Sequence, residues 1–329
     1  MDWGYIFTAS ATAAVGFLGI VYCLGAMGIN IQFGYTGLLN FGEAAFLAVG
    51  AYGLATTVAT FGLPFWVGIA AGMAGAILLA LLLGIPTLRL RADYLAIVTI
   101  AASEIVRLSF RSLTFRKTFG GTDGLQQFAS QFFALNPLPE NSFYKFGPIQ
   151  MNERNAWVSI VGWTFVALFS ILTFLLMRSP WGRVLKGIRE DEDAVRSLGK
   201  NVYWYKMQSL MIGGIIGAFG GFMYALGQSA VQPDNFTTNQ TFFAYTILIV
   251  GGAARVLGPL LGTLIFWFLI QFSDVALGEA VNNHVITFMT AEQAAQVRWV
   301  LAGVVLMLLM IYRPQGILGD RKEIALDER

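Results

Sequence analysis

Taken by apolar and polar position, the chain is a series of long uncharged runs separated by short polar stretches. Residues 3–42 carry no charge, and neither do residues 44–88. Uncharged apolar runs of about 20 residues suffice to cross a bilayer core. The pattern predicts membrane helices over 11–32, 41–61, 64–88, 94–110, 157–177, 207–227, 241–250, 257–276 and 300–312. The run at 241–250 is too short to span and reads as a half-helix breaking at Gly251 and Gly252. The run at 300–312 is also short, and becomes a span if it begins nearer Ala294 and carries Arg298 at an interface. The expected fold class is an all-α polytopic membrane protein of eight or nine transmembrane helices with broken or re-entrant segments, in one domain over 1–329. The alternating segments of a β-barrel are absent.

Composition agrees with the pattern. The chain is 56% hydrophobic and 12% charged, with mean hydropathy +0.65, against about 25% charged residues in soluble domains. Several function classes drop out. One cysteine, Cys23, leaves no intrachain disulfide and no multi-cysteine metal site, and His284 is the sole histidine. No G-x-x-x-x-G-K-[ST] occurs: Gly199-Lys200 is followed by Asn201 and lacks the upstream glycine, so the chain has no P-loop of its own. There is no H-E-x-x-H and no G-x-S-x-G. An enzyme is therefore not expected, nor a cofactor, a metal or a nucleic-acid partner. The bilayer is the expected environment. The start, M-D-W-G-Y, lacks a basic n-region, so the first helix is expected to be retained.

The positive charge is unevenly distributed. The island 178–206 holds seven of the 21 Lys/Arg and four of the 19 Asp/Glu, while residues 228–254 and 256–297 hold no Lys or Arg. By the positive-inside rule, the island, Arg89, Arg91 and the tail 313–329 fall in the cytoplasm and the N-terminus outside. The stretch 111–156 then lies outside despite five basic residues. Within it Leu125, Phe128, Ala129, Phe132 and Phe133 recur at helical spacing and predict a short helix, packed on the bundle or lying over its outer surface. In the island, Ser179 is a candidate N-cap with Pro180 at the first helical position. Val184, Leu185 and Ile188 form one apolar face. A second short helix starts near Asp191, presents Ala194, Val195 and Leu198, and closes at Gly199. Such stripes suit docking into a groove on a soluble partner.

Gly213, Gly214, Gly217, Gly220 and Gly221 crowd one span, and Gly68/Gly72 and Gly258/Gly262 are spaced alike, as close helix packing requires. Two segments look like breaks: 34–43, with Gly34, Thr36, Asn40 and Glu43, and the segment around Gly251 and Gly252. Each is either a substrate-facing discontinuity or an ordinary inner loop. Ionisable groups in or beside the spans are Glu43, Asp93, Glu104 and Arg107. Glu104 and Arg107 are spaced to pair along a helix. Three roles fit Glu43: lining a path, capping the helix that begins near Phe41, or meeting a basic group elsewhere.

The run G-R-V-L-K-G-I-R-E-D-E-D-A-V-R-S-L-G in the island resembles the cytoplasmic coupling loop of the LIV (branched-chain amino acid) permease family of ABC importers. Further pieces stand in the family's order: Gly34-Tyr-Thr-Gly-Leu-Leu-Asn-Phe-Gly-Glu-Ala-Ala-Phe, Gly50-Ala-Tyr, Arg89-Leu-Arg-Ala-Asp-Tyr-Leu-Ala-Ile-Val-Thr, Gly120-Gly-Thr-Asp-Gly-Leu and Gly251-Gly-Ala-Ala-Arg-Val-Leu-Gly-Pro-Leu-Leu-Gly. Together they cover about residues 22–317. The chain departs from similar members at Glu43, often histidine, and Asn40, often serine. The resemblance implies a permease subunit of the bacterial inner membrane that moves branched-chain or other neutral amino acids; relatives also handle urea and short amides. It implies a second homologous permease, two ATPase subunits and an extracytoplasmic substrate-binding protein, with ATPase coupling by Gly187, Arg189, Glu190, Asp191, Glu192, Ala194 and Gly199. The remaining candidates, Gly34, Thr36, Asn40, Glu43, Asp93, Glu104, Gly251 and Gly252, are expected on the substrate path. The rival class is a transporter or channel that needs no ATPase.

Overall fold

The computed structural model describes residues 2–90, 92–284, 290–313 and 315–319. Arg91 and the tail beyond Gly319 lie outside the described residues, as do the surroundings of the Arg298 side chain. The first predicted span is two helices. Helix α1 (Trp3–Val15) ends at Gly16, whose extended ψ of 179° stops the helix, and α2 (Phe17–Ile29) restarts at once. The two helices abut so closely that a Cβ on Gly19 would strike the Ala14 carbonyl. Helix α2 continues with π geometry over Asn30–Tyr35, and α3 (Glu43–Ala55) likewise over Thr56–Thr60. Helices α4 (Phe65–Thr87) and α5 (Ala92–Arg111) follow.

The stretch expected outside is folded rather than loose. It contains α6 (Arg116–Phe119), β1 (Leu125–Gln126), α7 (Ser130–Ala134) and a hairpin of β2 (Phe143–Phe146) and β3 (Ile149–Asn152). The helix predicted from Leu125, Phe128, Ala129, Phe132 and Phe133 is not formed over that length. Gly124 and Gln127 take positive φ, and Leu125–Gln126 pairs with β4 (Ala230–Val231). The apolar spacing was reporting burial: Phe128, Ala129 and Phe132 are all core residues.

Helix α8 (Glu153–Arg178) leads into the charged helices α9 (Pro180–Glu190) and α10 (Glu192–Ser197). Then come α11 (Val202–Gln228), α12 (Thr238–Gly251), α13 (Gly258–Asn282) and α14 (Ala291–Tyr312). Six helices among the described residues are long and apolar enough to cross a membrane: 17–35, 43–60, 65–87, 153–178, 202–228 and 258–282. Of the other predicted spans, α12 has 14 residues, α5 carries Asp93, Glu104, Arg107 and Arg111, and α14 begins at 291. Among the described residues, six helices thus have the length and hydropathy of a full span, and α5, α12 and α14 stand at the three other predicted crossings.

The spans form two shells. Those over 17–35 and 202–228 are 83% and 72% buried, whereas 153–178 and 258–282 are 28% and 22% buried. Helix α11 packs along α2, α3 and α4. The glycine-rich stretch of α11 serves close packing, as its spacing predicts: Gly214 lies on the Phe46 ring and Gly221 on the Leu47 carbonyl. With so little hydrophobic drive between helices in lipid, such contacts supply the association through van der Waals packing.

Candidate functional site

The first break runs from Thr36 to Gly42, with Gly37 exposed, Leu39 and Phe41 partly buried and the rest buried: Thr36 is 2% exposed and Asn40 0%, as is Glu43 just beyond. Irregular backbone inside a bilayer survives only where protein or a wet cavity satisfies its polar groups. Here neighbouring helices do so. The Asn40 amide nitrogen donates to Gln32 Oε1 at 2.8 Å, and Asn40 Oδ1 accepts from the Gly42 N–H at 2.9 Å. The Phe41 N–H donates to Thr99 Oγ1 of α5 at 3.0 Å, and the Ala44 N–H to Thr241 Oγ1 of α12 at 2.9 Å. Tyr245 donates its hydroxyl proton to the Asn40 carbonyl at 2.9 Å. Thr36 shares a 2.8 Å hydrogen bond with Ser209 of α11, and Gln32 donates to the Leu210 carbonyl at 3.3 Å. Four helices thus converge on one seven-residue break.

The second break, 252–257, begins at Gly252, whose φ of +109° is open to glycine and strained for other residues. Asn30 reaches it from α2. Its Nδ2 donates to the Arg255 carbonyl at 2.8 Å and its Oδ1 accepts from the Ala254 N–H at 2.9 Å. Gly34 allows the crossing, since a Cβ there would lie 2.7 Å from the Ala254 nitrogen. The Ile317 and Leu318 N–H groups donate to the Val250 and Gly251 carbonyls at 2.9 and 3.1 Å, supplying partners for the last turn of α12.

Glu43 opens α3. It is 0% exposed, and neither carboxylate oxygen has a hydrogen-bond partner among the described residues. Gly28 of α2 and Gly217 of α11 face it so closely that a Cβ on either would press on Oε1.

The charged helices are built as their sequence requires. Ser179 Oγ accepts from the Gly182 N–H at 3.5 Å, with Pro180 at the first helical position, and Leu185 and Ile188 are buried. Asp191 caps α10 by accepting from the Asp193 and Ala194 N–H groups, both at 2.9 Å. Gly187 gives α9 and α10 a close approach, its Cβ position lying 3.0 Å from Val195. Gly199, at φ +76°, stops α10. Glu192 pairs with Arg196 at 2.7 Å and with Lys206 of α11. Ala194, Glu190 and Leu198 are exposed, Leu198 by 79%; of the apolar face predicted for α10, only Val195 turns inward. Trp181 donates to Gln208 Oε1 at 2.7 Å, tying α9 to α11.

Arg189 joins the two parts of the site. Its Nη1 donates to the Gly34 carbonyl at 2.8 Å, its stem packs on Gly37, and Lys186 one turn earlier sits 5.9 Å over the Tyr35 ring. Beside this contact a cavity of about 1210 Å³ opens between the charged helices and the near ends of α4 and α5. Thr36, Gly37 and Leu38 form its floor, and Arg89, Arg189 and Lys206 stand among its walls.

Two candidates lie apart from this arrangement. Asp93 is exposed in the first turn of α5. Glu104 is at the opposite end, accepting from Arg107 Nε at 3.1 and 3.0 Å, as the spacing predicts. The sequence did not reveal that Arg107 also pairs with Asp234, just after β4. Nor did it single out Asn30, Gln32, Thr99, Ser209, Thr241 and Tyr245. The available signal was polar side chains inside uncharged runs, with Asn30 and Gln32 the clearest.

Residues 12–311 match the family described as branched-chain amino acid transport system, permease component. The chain belongs to that family. It is 29% identical over 342 residues to the high-affinity branched-chain amino acid transport system permease protein LivM of Escherichia coli, covering 96% of this chain and 72% of that protein. It is 27% identical to the probable branched-chain amino acid transport permease protein LivM of Methanocaldococcus jannaschii, covering 92% and 91%. A more distant relative is the nucleoside ABC transporter permease protein NupC of Lactococcus lactis, 24% identical over 70% of this chain and 71% of its own length. As a permease of this family, the protein is a multi-pass inner-membrane transport subunit that works with other ABC components.

Proposed function

We propose that this permease forms, with a second homologous permease, the membrane part of an ATP-driven importer for branched-chain or other neutral amino acids. Two ATPase subunits dock on α9 and α10 in the cytoplasm, and an extracytoplasmic binding protein delivers the cargo at the opposite end. The N-terminus is then outside and the charged helices are inside, following the lysine and arginine asymmetry. The hydrogen bond from Arg189 to the Gly34 carbonyl carries this reading. It connects the helix fit for docking to the π-helical turn that leads into the first break, beside the 1210 Å³ cavity. When the ATPases close, α9 moves, Arg189 shifts the end of the π-helical turn, and the break rearranges. ATP thereby acts on the path without a nucleotide site in this chain.

The test is uptake into proteoliposomes by the four-subunit complex with its binding protein. Leucine uptake should require ATP and both ATPase subunits. Arg189→Ala and Glu192→Lys should lower it at least about tenfold while ATP hydrolysis continues, the mark of lost coupling. Uptake by the permeases alone, in the absence of ATP, would overturn the reading in favour of a gradient-driven transporter.

A further inference from the structure

Glu43 has no assigned counterpart, and its setting specifies what that counterpart must be. The side chain is fully buried with both oxygens unpartnered, an arrangement that is costly inside a bilayer and marks a functional group more often than a structural one. Its position at the first turn of α3 lets the helix dipole offset part of that cost, but supplies no hydrogen bond to either oxygen. Gln240 Oε1, one residue from the Thr241 that caps Ala44, is also a buried acceptor without a donor. What this region lacks is a group rich in donors and free of acceptors. An ammonium, with three donors, is such a group.

The depth is also informative. Glu43 packs between Gly28 of α2 and Gly217 of α11, and Gly217 lies close to the middle of α11, the longest span among the described residues. That is the middle of the membrane path, where discontinuous helices hold cargo in other transporters. Thr36, Gly37 and Leu38 line the cavity, and along the chain the remainder of the first break joins them to Glu43. Asn40, held by Gln32 and Tyr245, sits in that remainder.

We propose that Glu43 determines specificity by receiving the ammonium group of an amino-acid cargo at mid-membrane once residues 39–42 move aside. This deepens the importer reading and rests on it. It assigns a cargo class: zwitterions are favoured, while ureas, simple amides and nucleosides, which carry no ammonium, are disfavoured.

Two measurements on the complete reconstituted transporter test it. Glu43→Gln should lower leucine uptake about 10- to 100-fold, the loss of one charge-assisted hydrogen bond. Glu43→Asp should retain more, and ATP hydrolysis stimulated by the loaded binding protein should persist in both. In the wild-type complex, dicyclohexylcarbodiimide, which modifies buried carboxyls, should label Glu43 as read by mass spectrometry. Leucine should slow that labelling, and 4-methylpentanoate, the same skeleton without the ammonium, should not. Wild-type uptake by Glu43→Gln, or labelling slowed equally by both compounds or by neither, would overturn the proposal while leaving the importer reading intact. If Glu43→Gln does not fold, as judged by gel filtration, the labelling experiment decides. Absence of any ATP-dependent leucine uptake by the wild type would instead overturn the importer reading.

Discussion

The two chain breaks are both glycine-bearing and both begin near the charged helices, yet they are held differently. Residues 36–42 include the buried Thr36, Leu38, Asn40 and Gly42 and draw partners from four helices within the bundle. Residues 253–256 are only partly buried, and depend on Asn30 from one side and the 317–318 strap from the other. A densely bonded break can change state only by exchanging many partners together, which makes it a two-state element. A sparsely bonded one follows whatever holds it. On the importer reading proposed above, the first break would be the switch and the second its follower, with Asn30, on the π-helical turn that leads into the first break, bonded to the second.

That contrast can be broken at measurable points, using thermal and chemical unfolding of the detergent-purified protein. Asn30→Leu should have the largest effect. It strands the Ala254 N–H and the Arg255 carbonyl together, for a loss of about 2–5 kcal/mol. Asn40→Ala removes the Gln32 pairing and the Gly42 contact within the first break, and should cost about 1–3 kcal/mol. Ile317→Pro deletes one N–H at the second break and should cost about 0.5–1.5 kcal/mol. Arg189→Ala should cost less than about 1 kcal/mol, since the side chain is exposed and solvent replaces its hydrogen bond, although uptake falls. If Ile317→Pro proves more damaging than Asn40→Ala, the ranking of the two breaks is reversed.

Local rules made part of this architecture legible in advance. Ser179, Pro180, Asp191 and Gly199 took their expected capping roles because a cap depends on residues two to four positions away. The Glu104–Arg107 pair was legible for the same reason. Asn30 was not, because its partners lie 224 and 225 residues downstream and no local spacing encodes that separation. The segment 125–133 was misread because apolar periodicity records which side chains are buried, and a folded loop can bury Phe128 and Phe132 as well as a helix can. The single span expected over 11–32 hid its break for another reason: Gly16 lies in an uninterrupted apolar run, where hydropathy carries no signal for backbone geometry. Polar residues within that same run were the overlooked clue to the site.

The strap at Ile317 and Leu318 returns the chain to the place where it left α12. Everything between, the α13–α14 pair included, is thereby a loop closed by backbone hydrogen bonds at Val250 and Gly251. Mechanically, the two helices are hung from the second break like a handle fixed at both ends. A partner or a lipid pressing on the exposed face of α13 therefore acts on a helix whose start at Gly258 abuts Gly252 and whose loop ends on the strap.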